Sequence, residues 1–103
     1  MLSLIQNNQE SIDALCREYD VRKLELFGSG ANNTHGPESD LDFLIEFCRP
    51  SKFTAFDQYF GLLLSLKQLL GHEIDLIEPA TVTNPYMLKA IRRAKKQVVY
   101  DAA

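Results

Sequence analysis

Apolar positions along this chain change period several times, and each change marks an element. Residues 2 to 19 place Leu4, Ile5, Ile12, Leu15, Cys16 and Tyr19 mostly three, four and seven apart. That spacing predicts an amphipathic helix covering one face of a sheet. VRKLELF, residues 21 to 27, then sets Leu24 and Leu26 on one side of a short strand with Glu25 between them. From residue 40 to 47, Leu41, Phe43, Ile45 and Phe47 alternate with polar neighbours that include Asp40 and Asp42, the mark of a half-buried strand.

The period lengthens again from about Thr54 to Leu70, with Phe56, Tyr59, Phe60, Leu63, Leu66 or Lys67, and Leu70 on one side of a second helix. Thr54 with Asp57 three residues later suits its start, and Gly71 its end. Ile74 and Leu76 flank Asp75 in another strand, which Pro79 ends. Asn84-Pro85 opens a helix expected to run from 86 to 96, and Val98-Val99-Tyr100 reads as a short edge strand or an extended tail.

Composition narrows the class. A chain of 103 residues, 46% hydrophobic and 24% charged, fits one compact globular domain over 1–103, with no room for a separate substrate-binding domain. A net charge of −3 argues against general nucleic-acid binding, which clustered Lys and Arg drive. The start MLSLIQNNQESI has neither the basic residues nor the long apolar run of a signal peptide, and no stretch approaches the roughly 20 apolar residues of a membrane span. A cytoplasmic location with no membrane partner is therefore expected. Cys16 and Cys48 are far apart and lack metal-ligand spacing, so free thiols are expected.

The chemistry gathers between Phe27 and Phe47, FGSGANNTHGPESDLDFLIEF. Asp40 and Asp42 stand two apart on a strand, so their carboxylates point the same way with Cα atoms roughly 6.6 Å apart. Like charges held that close repel, and a divalent cation relieves the repulsion. Gly28-Ser29, directly after the first strand, can offer backbone N–H groups and a hydroxyl to a phosphate. Alone, each feature has an ordinary explanation: alternating acids suit a solvent-facing strand, and Gly-Ser is a common turn. Together with Asp75 on the next strand, they describe a triphosphate held between a backbone cradle and Mg²⁺ on carboxylates.

LFGSGA…SDLDFLIEF followed by LLGHEIDLIEP resembles the minimal nucleotidyltransferase (MNT) family of the polymerase-beta-like nucleotidyltransferase superfamily, over most of the chain. The resemblance implies an α/β (α+β) nucleotidyltransferase fold, a small mixed sheet packed by about three to four helices. It implies Gly28 and Ser29 on the nucleotide phosphates, Asp40 and Asp42 on Mg²⁺, and Asp75 completing a catalytic and metal-binding triad. The acceptor hydroxyl would attack the α-phosphorus of ATP and pyrophosphate would leave. Family members are commonly antitoxins of HEPN/MNT modules, so the expected function is that of a type VII antitoxin. Such a protein adenylyltransferase moves AMP from ATP to a tyrosine of a cognate HEPN-domain ribonuclease toxin, with which it forms a hetero-oligomer.

One departure from the family pattern stands out. Many members read Gly-Ser-x-Ala-Arg-Gly, whereas here Gly30, Ala31, Asn32 and Asn33 follow, without the arginine that would pair a phosphate. This motivates an alternative, an antitoxin that neutralises its partner by binding with little or no catalysis. Modification of a small molecule is disfavoured by the short chain. Ser39 reads as a turn residue, His35 and His72 as loop residues, and Tyr59, Tyr86 and Tyr100 as packing. Arg92 to Lys96 read as a solvated helix end. The leucines from Leu62 to Leu70 exceed a single stripe, which leaves some of them for a protein interface.

Overall fold

The computed structural model describes residues 2–27 and 41–102. Their order is α1 (Leu2–Asn7), α2 (Gln9–Glu18), β1 (Val21–Phe27), β2 (Leu41–Phe47), α3 (Ala55–Leu70), β3 (Ile74–Ile77), a 3₁₀ turn (Pro79–Thr81), α4 (Pro85–Arg93) and β4 (Lys96–Asp101). The four strands form one mixed sheet in the order β3-β2-β1-β4. β1 pairs antiparallel with β2 and with β4, while β2 and β3 run parallel. The expected α+β fold is what forms. The C-terminal residues make a true edge strand.

The alternation read from the sequence sets the faces. Leu24 and Leu26 of β1, Leu41, Phe43 and Ile45 of β2, and Ile74 and Leu76 of β3 are buried in one apolar cluster. Ile5, Ile12 and Cys16 reach that cluster from α1 and α2, and Leu62, Leu66 and Leu70 from α3. Burial at this scale contributes about 1.5 to 3 kcal/mol for each large aliphatic side chain. α1, α2 and α3 therefore lie on one face of the sheet, and the side chains of Asp42 and Asp75 belong to the other.

Three expectations about helices need correction. The N-terminal helix is interrupted at Asn8, whose side-chain amide donates to the Leu4 carbonyl at 2.9 Å. Asparagine competes with the helical backbone in this way, and a new helix starts after it. On α3, the buried line is Gln58, Leu62, Leu66 and Leu70. Phe56 and Phe60, expected on the core side, are 68% and 42% exposed, and Leu64 is 59% exposed. The helix from Pro85 stops at Arg93, and Lys96 already belongs to β4. Lys96 Nζ donates back to the carbonyls of Arg92 and Ala94, closing the helix end.

The predicted caps are present. Thr54 Oγ1 accepts from the Asp57 amide, and Gly71 ends α3 in the left-handed conformation at φ 67°. Asn84 Oδ1 accepts from the amides of Tyr86 and Met87, with Pro85 at the first helical position. Gly61, inside α3, has a different reason to be glycine. A Cβ there would lie 2.5 Å from Cε1 of Tyr19, which stacks on Phe53 with ring centroids 5.0 Å apart.

Gln58 is the one buried polar side chain among the described residues. Its Nε2 donates to the carbonyls of Tyr19 (2.9 Å), Cys48 (3.3 Å) and Asp20 (3.4 Å), and its Oε1 accepts from Arg49 Nε at 3.1 Å. Asp20 makes the turn into β1 at φ 55°, and its carbonyl also accepts from the Cys48 amide at 2.8 Å. One side chain thus fastens the start of β1, the end of β2 and α3. Arg49 extends the clasp to Glu78, beyond β3, at 3.0 Å. Among the described residues, no helix is long and apolar enough to cross a membrane.

Candidate active site

The parallel register of β2 and β3 decides which carboxylates meet. Asp42 is the direct partner of Asp75, with Leu41 opposite Ile74 and Phe43 opposite Leu76. Neighbouring strands lie about 4.8 Å apart, and residues directly opposite each other project to the same side. Since Leu41, Phe43, Ile74 and Leu76 are buried under the helices, Asp42 and Asp75 both project from the other face. Asp42 is half-buried and Asp75 exposed. Two residues 33 positions apart in the sequence become neighbours.

The same row continues across the sheet. Phe27 is the partner of Asp42 on β1, and Lys96 is the partner of Phe27 on β4. Lys96 therefore sits about two strand spacings, roughly 10 Å, from Asp42 on the same face. The sequence had placed it on a helix end, and only the early stop of α4 reveals it as a strand residue. Its Nζ is engaged with the carbonyls at the end of α4.

Of the residues expected to form the site, Gly28, Ser29 and Asp40 lie outside the described residues, as do the loop residues Gly30 to Asn33, His35 and Ser39. The chain leaves β1 at Phe27, the register partner of Asp42. Among the described residues no group of three His, Cys, Asp or Glu side chains converges; Asp42 and Asp75 are paired in register. Two hard oxygen donors on adjacent strands fit Mg²⁺, which binds through one or two carboxylates together with substrate phosphates.

Cavities on either side help to separate chemistry from packing. The larger, about 910 Å³, is a groove between α2 and α3 lined by residues such as Ser11, Leu15, Ser65 and Leu69. It lies on the helical side, away from the carboxylates, so its size does not make it the site. The smaller, about 380 Å³, is lined by Tyr59, Leu76, Ile77, Glu78 and Thr81, along β3. Burial, followed by the charges of Glu78 and Asp75, pushes the Tyr59 phenol above its usual range. Tyr59 thus senses the field of Asp75, a link the sequence could not signal because a tyrosine in an apolar helix looks like packing.

A mixed sheet with α1, α2 and α3 on one face and register-paired aspartates on the other is the architecture of a nucleotidyl-transferring domain. The model of the nucleotidyltransferase domain family matches residues 9–100, and the chain belongs to that family. It is 36% identical over 74 residues to the Methanocaldococcus jannaschii protein "Putative protein adenylyltransferase MJ1379", covering 72% of this chain and 73% of that one. A solved structure described as a minimal nucleotidyltransferase superposes with a TM-score of 0.71 at 25% identity, covering 91% of this chain and 93% of its own. A further structure, the tri-AMPylated Shewanella oneidensis HEPN toxin in complex with an MNT antitoxin, shares the fold at TM-score 0.61 and 16% identity. That match covers 95% of this chain and 73% of the other.

Proposed function

We propose that this protein is a Mg²⁺-dependent adenylyltransferase that moves AMP from ATP to a tyrosine of a HEPN-domain toxin, and so acts as its antitoxin. The observation that carries the reading is the direct pairing of Asp42 with Asp75 on the face of a nucleotidyltransferase sheet opposite α1, α2 and α3. The name of the M. jannaschii relative and the AMPylated toxin bound to an MNT antitoxin point to the same reaction.

In this reading Asp42 and Asp75, with Asp40, hold the cation, while Gly28 and Ser29 bind phosphate oxygens through N–H and hydroxyl donors. Bound there, Mg²⁺ supplies charge stabilisation for the phosphates and orients them for in-line displacement. The tyrosine oxygen bonds to the α-phosphorus, the bond to pyrophosphate breaks, and Asp75 takes the phenolic proton. In this reading the folded partner supplies much of the recognition of the acceptor. The protein and its toxin form a hetero-oligomer in the cytoplasm.

The decisive incubation uses α-labelled ATP, Mg²⁺ and the toxin encoded beside this protein. Label on a toxin tyrosine is expected, and none should appear when Asp42 is changed to Ala. An unlabelled toxin, under conditions where the complex forms, contradicts the reading. One observation favours the second reading, neutralisation by contact: Phe56, Phe60 and Leu64 present apolar side chains to solvent at four-residue intervals on α3. If Asp42→Ala neutralises the toxin as fully as the unaltered protein, contact suffices.

A further inference from the structure

β3 has four residues and stands at an edge of the sheet, yet it carries one of the two paired carboxylates. Its inner side is held by β2: the Leu41 amide donates to the Glu73 carbonyl at 3.0 Å. Successive carbonyls of a strand point to opposite edges, so those of residues 73, 75 and 77 face β2, and that of Leu76 faces outward. An outward carbonyl on an edge strand lacks a ladder partner. Here the Tyr59 hydroxyl donates to it.

Tyr59 is well placed to act as a fixed post. Its ring packs against the apolar core, and Phe60 meets it edge-on with centroids 4.9 Å apart. A phenol keeps its proton at neutral pH, so the hydroxyl is available as a donor. The cavity of about 380 Å³ beside it leaves this stretch of β3 with open space around it. Without the hydroxyl, water would take over the Leu76 carbonyl and the short strand would gain freedom to shift along β2.

We infer that Tyr59 is a positioning residue for Asp75, its hydroxyl fixing the outer edge of β3 at Leu76 and so keeping the Asp75 carboxylate opposite Asp42. This rests on the proposed role of those aspartates as cation ligands. It adds to that role a residue from the helical layer that touches neither nucleotide nor metal.

Tyr59→Phe removes the hydroxyl and keeps the ring. Mn²⁺ titrated into the isolated protein, with free ion followed by its electron paramagnetic resonance signal, reads the geometry of the pair without catalysis. Loss of one hydrogen bond that orders the site predicts about three- to tenfold weaker Mn²⁺ binding. The circular dichroism spectrum should be unchanged, and the Mg²⁺ concentration for half-maximal AMP transfer should rise by a similar factor. Tyr59→Phe binding Mn²⁺ as the unaltered protein does, while Asp75→Asn binds it more weakly, overturns the inference and leaves the cation site standing. If Asp75→Asn also binds Mn²⁺ normally, the cation site itself is wrong and the inference falls with it.

Discussion

The two ends of the sheet are built on opposite plans. At one end, where β1 begins and β2 finishes, Gln58 gathers three carbonyls, Arg49 bridges to Glu78, and Ser51 Oγ donates to Asp20. At the other, where β1 finishes and β2 and β3 begin, the described residues bring together two carboxylates in register. The first end is a clasp in which each polar group meets its complement, and it stabilises. The second sets Asp42 directly opposite Asp75 on adjacent strands, the pairing on which the proposed cation site rests.

The largest effect that would break this contrast is on activity. Asp42→Ala is expected to lower AMP transfer on the order of 10³-fold, since charge stabilisation worth several kcal/mol is lost. The far-UV circular dichroism spectrum should be unchanged, so that the loss is one of chemistry and not of fold. A large fall in melting temperature would mean that Asp42 is structural. Next comes the clasp. Gln58→Ala takes a donor from the part-buried carbonyls of Tyr19 and Cys48 and an acceptor from Arg49, and should cost about 1 to 3 kcal/mol in urea unfolding, with Mn²⁺ affinity of the folded protein unchanged.

Gly61→Ala sharpens the same point inside α3. Helix propensity alone predicts a gain of about 1 kcal/mol. The added Cβ would strike the ring of Tyr19, so a net loss of about 1 to 2 kcal/mol is expected instead, from overpacking. The smallest effect belongs to the surface. Arg22 and Glu46 form a 2.8 Å ion pair with side chains 56% and 51% exposed, and Arg22→Ala should leave the melting temperature unmoved within error.

The division between clasp and site also explains what could be read from the sequence. The strands were legible because alternation survives in Leu24/Leu26, Leu41/Phe43/Ile45 and Ile74/Leu76, which bury one face of the sheet, even though Leu44 is buried on the other. Helix ends were legible where a cap names itself, as at Thr54, Gly71 and Asn84. The orientation of α3 was not, because apolar residues ring much of its surface and periodicity cannot choose among overlapping stripes; tertiary contact with the sheet chose Leu62, Leu66 and Leu70. Gln58 as a buried clasp left no trace either, since its partners are backbone carbonyls from two other segments.

For the site, the sequence offered Asp42 and Asp75 as strand acids, and the parallel register made them neighbours. Their pairing could not be counted out along the chain. It depends on β3 lying beside β2 and on the two strands starting level, and both follow from α3 crossing the sheet between them. Tyr59 and Lys96 were invisible as site neighbours for the same reason: each is defined by an element's end or edge, which pattern places least well.

The most direct measurement is intact-mass spectrometry of the toxin recovered after co-expression with this protein, in its unaltered form and with Asp42 and Asp75 both changed to Asn. Toxin carrying whole adenylyl additions is expected with the unaltered protein, with peptide fragmentation placing them on tyrosine, and unmodified toxin with the double variant, which keeps its fold. Adenylyl additions made by the double variant would contradict the proposed function, as would a toxin neutralised without any addition.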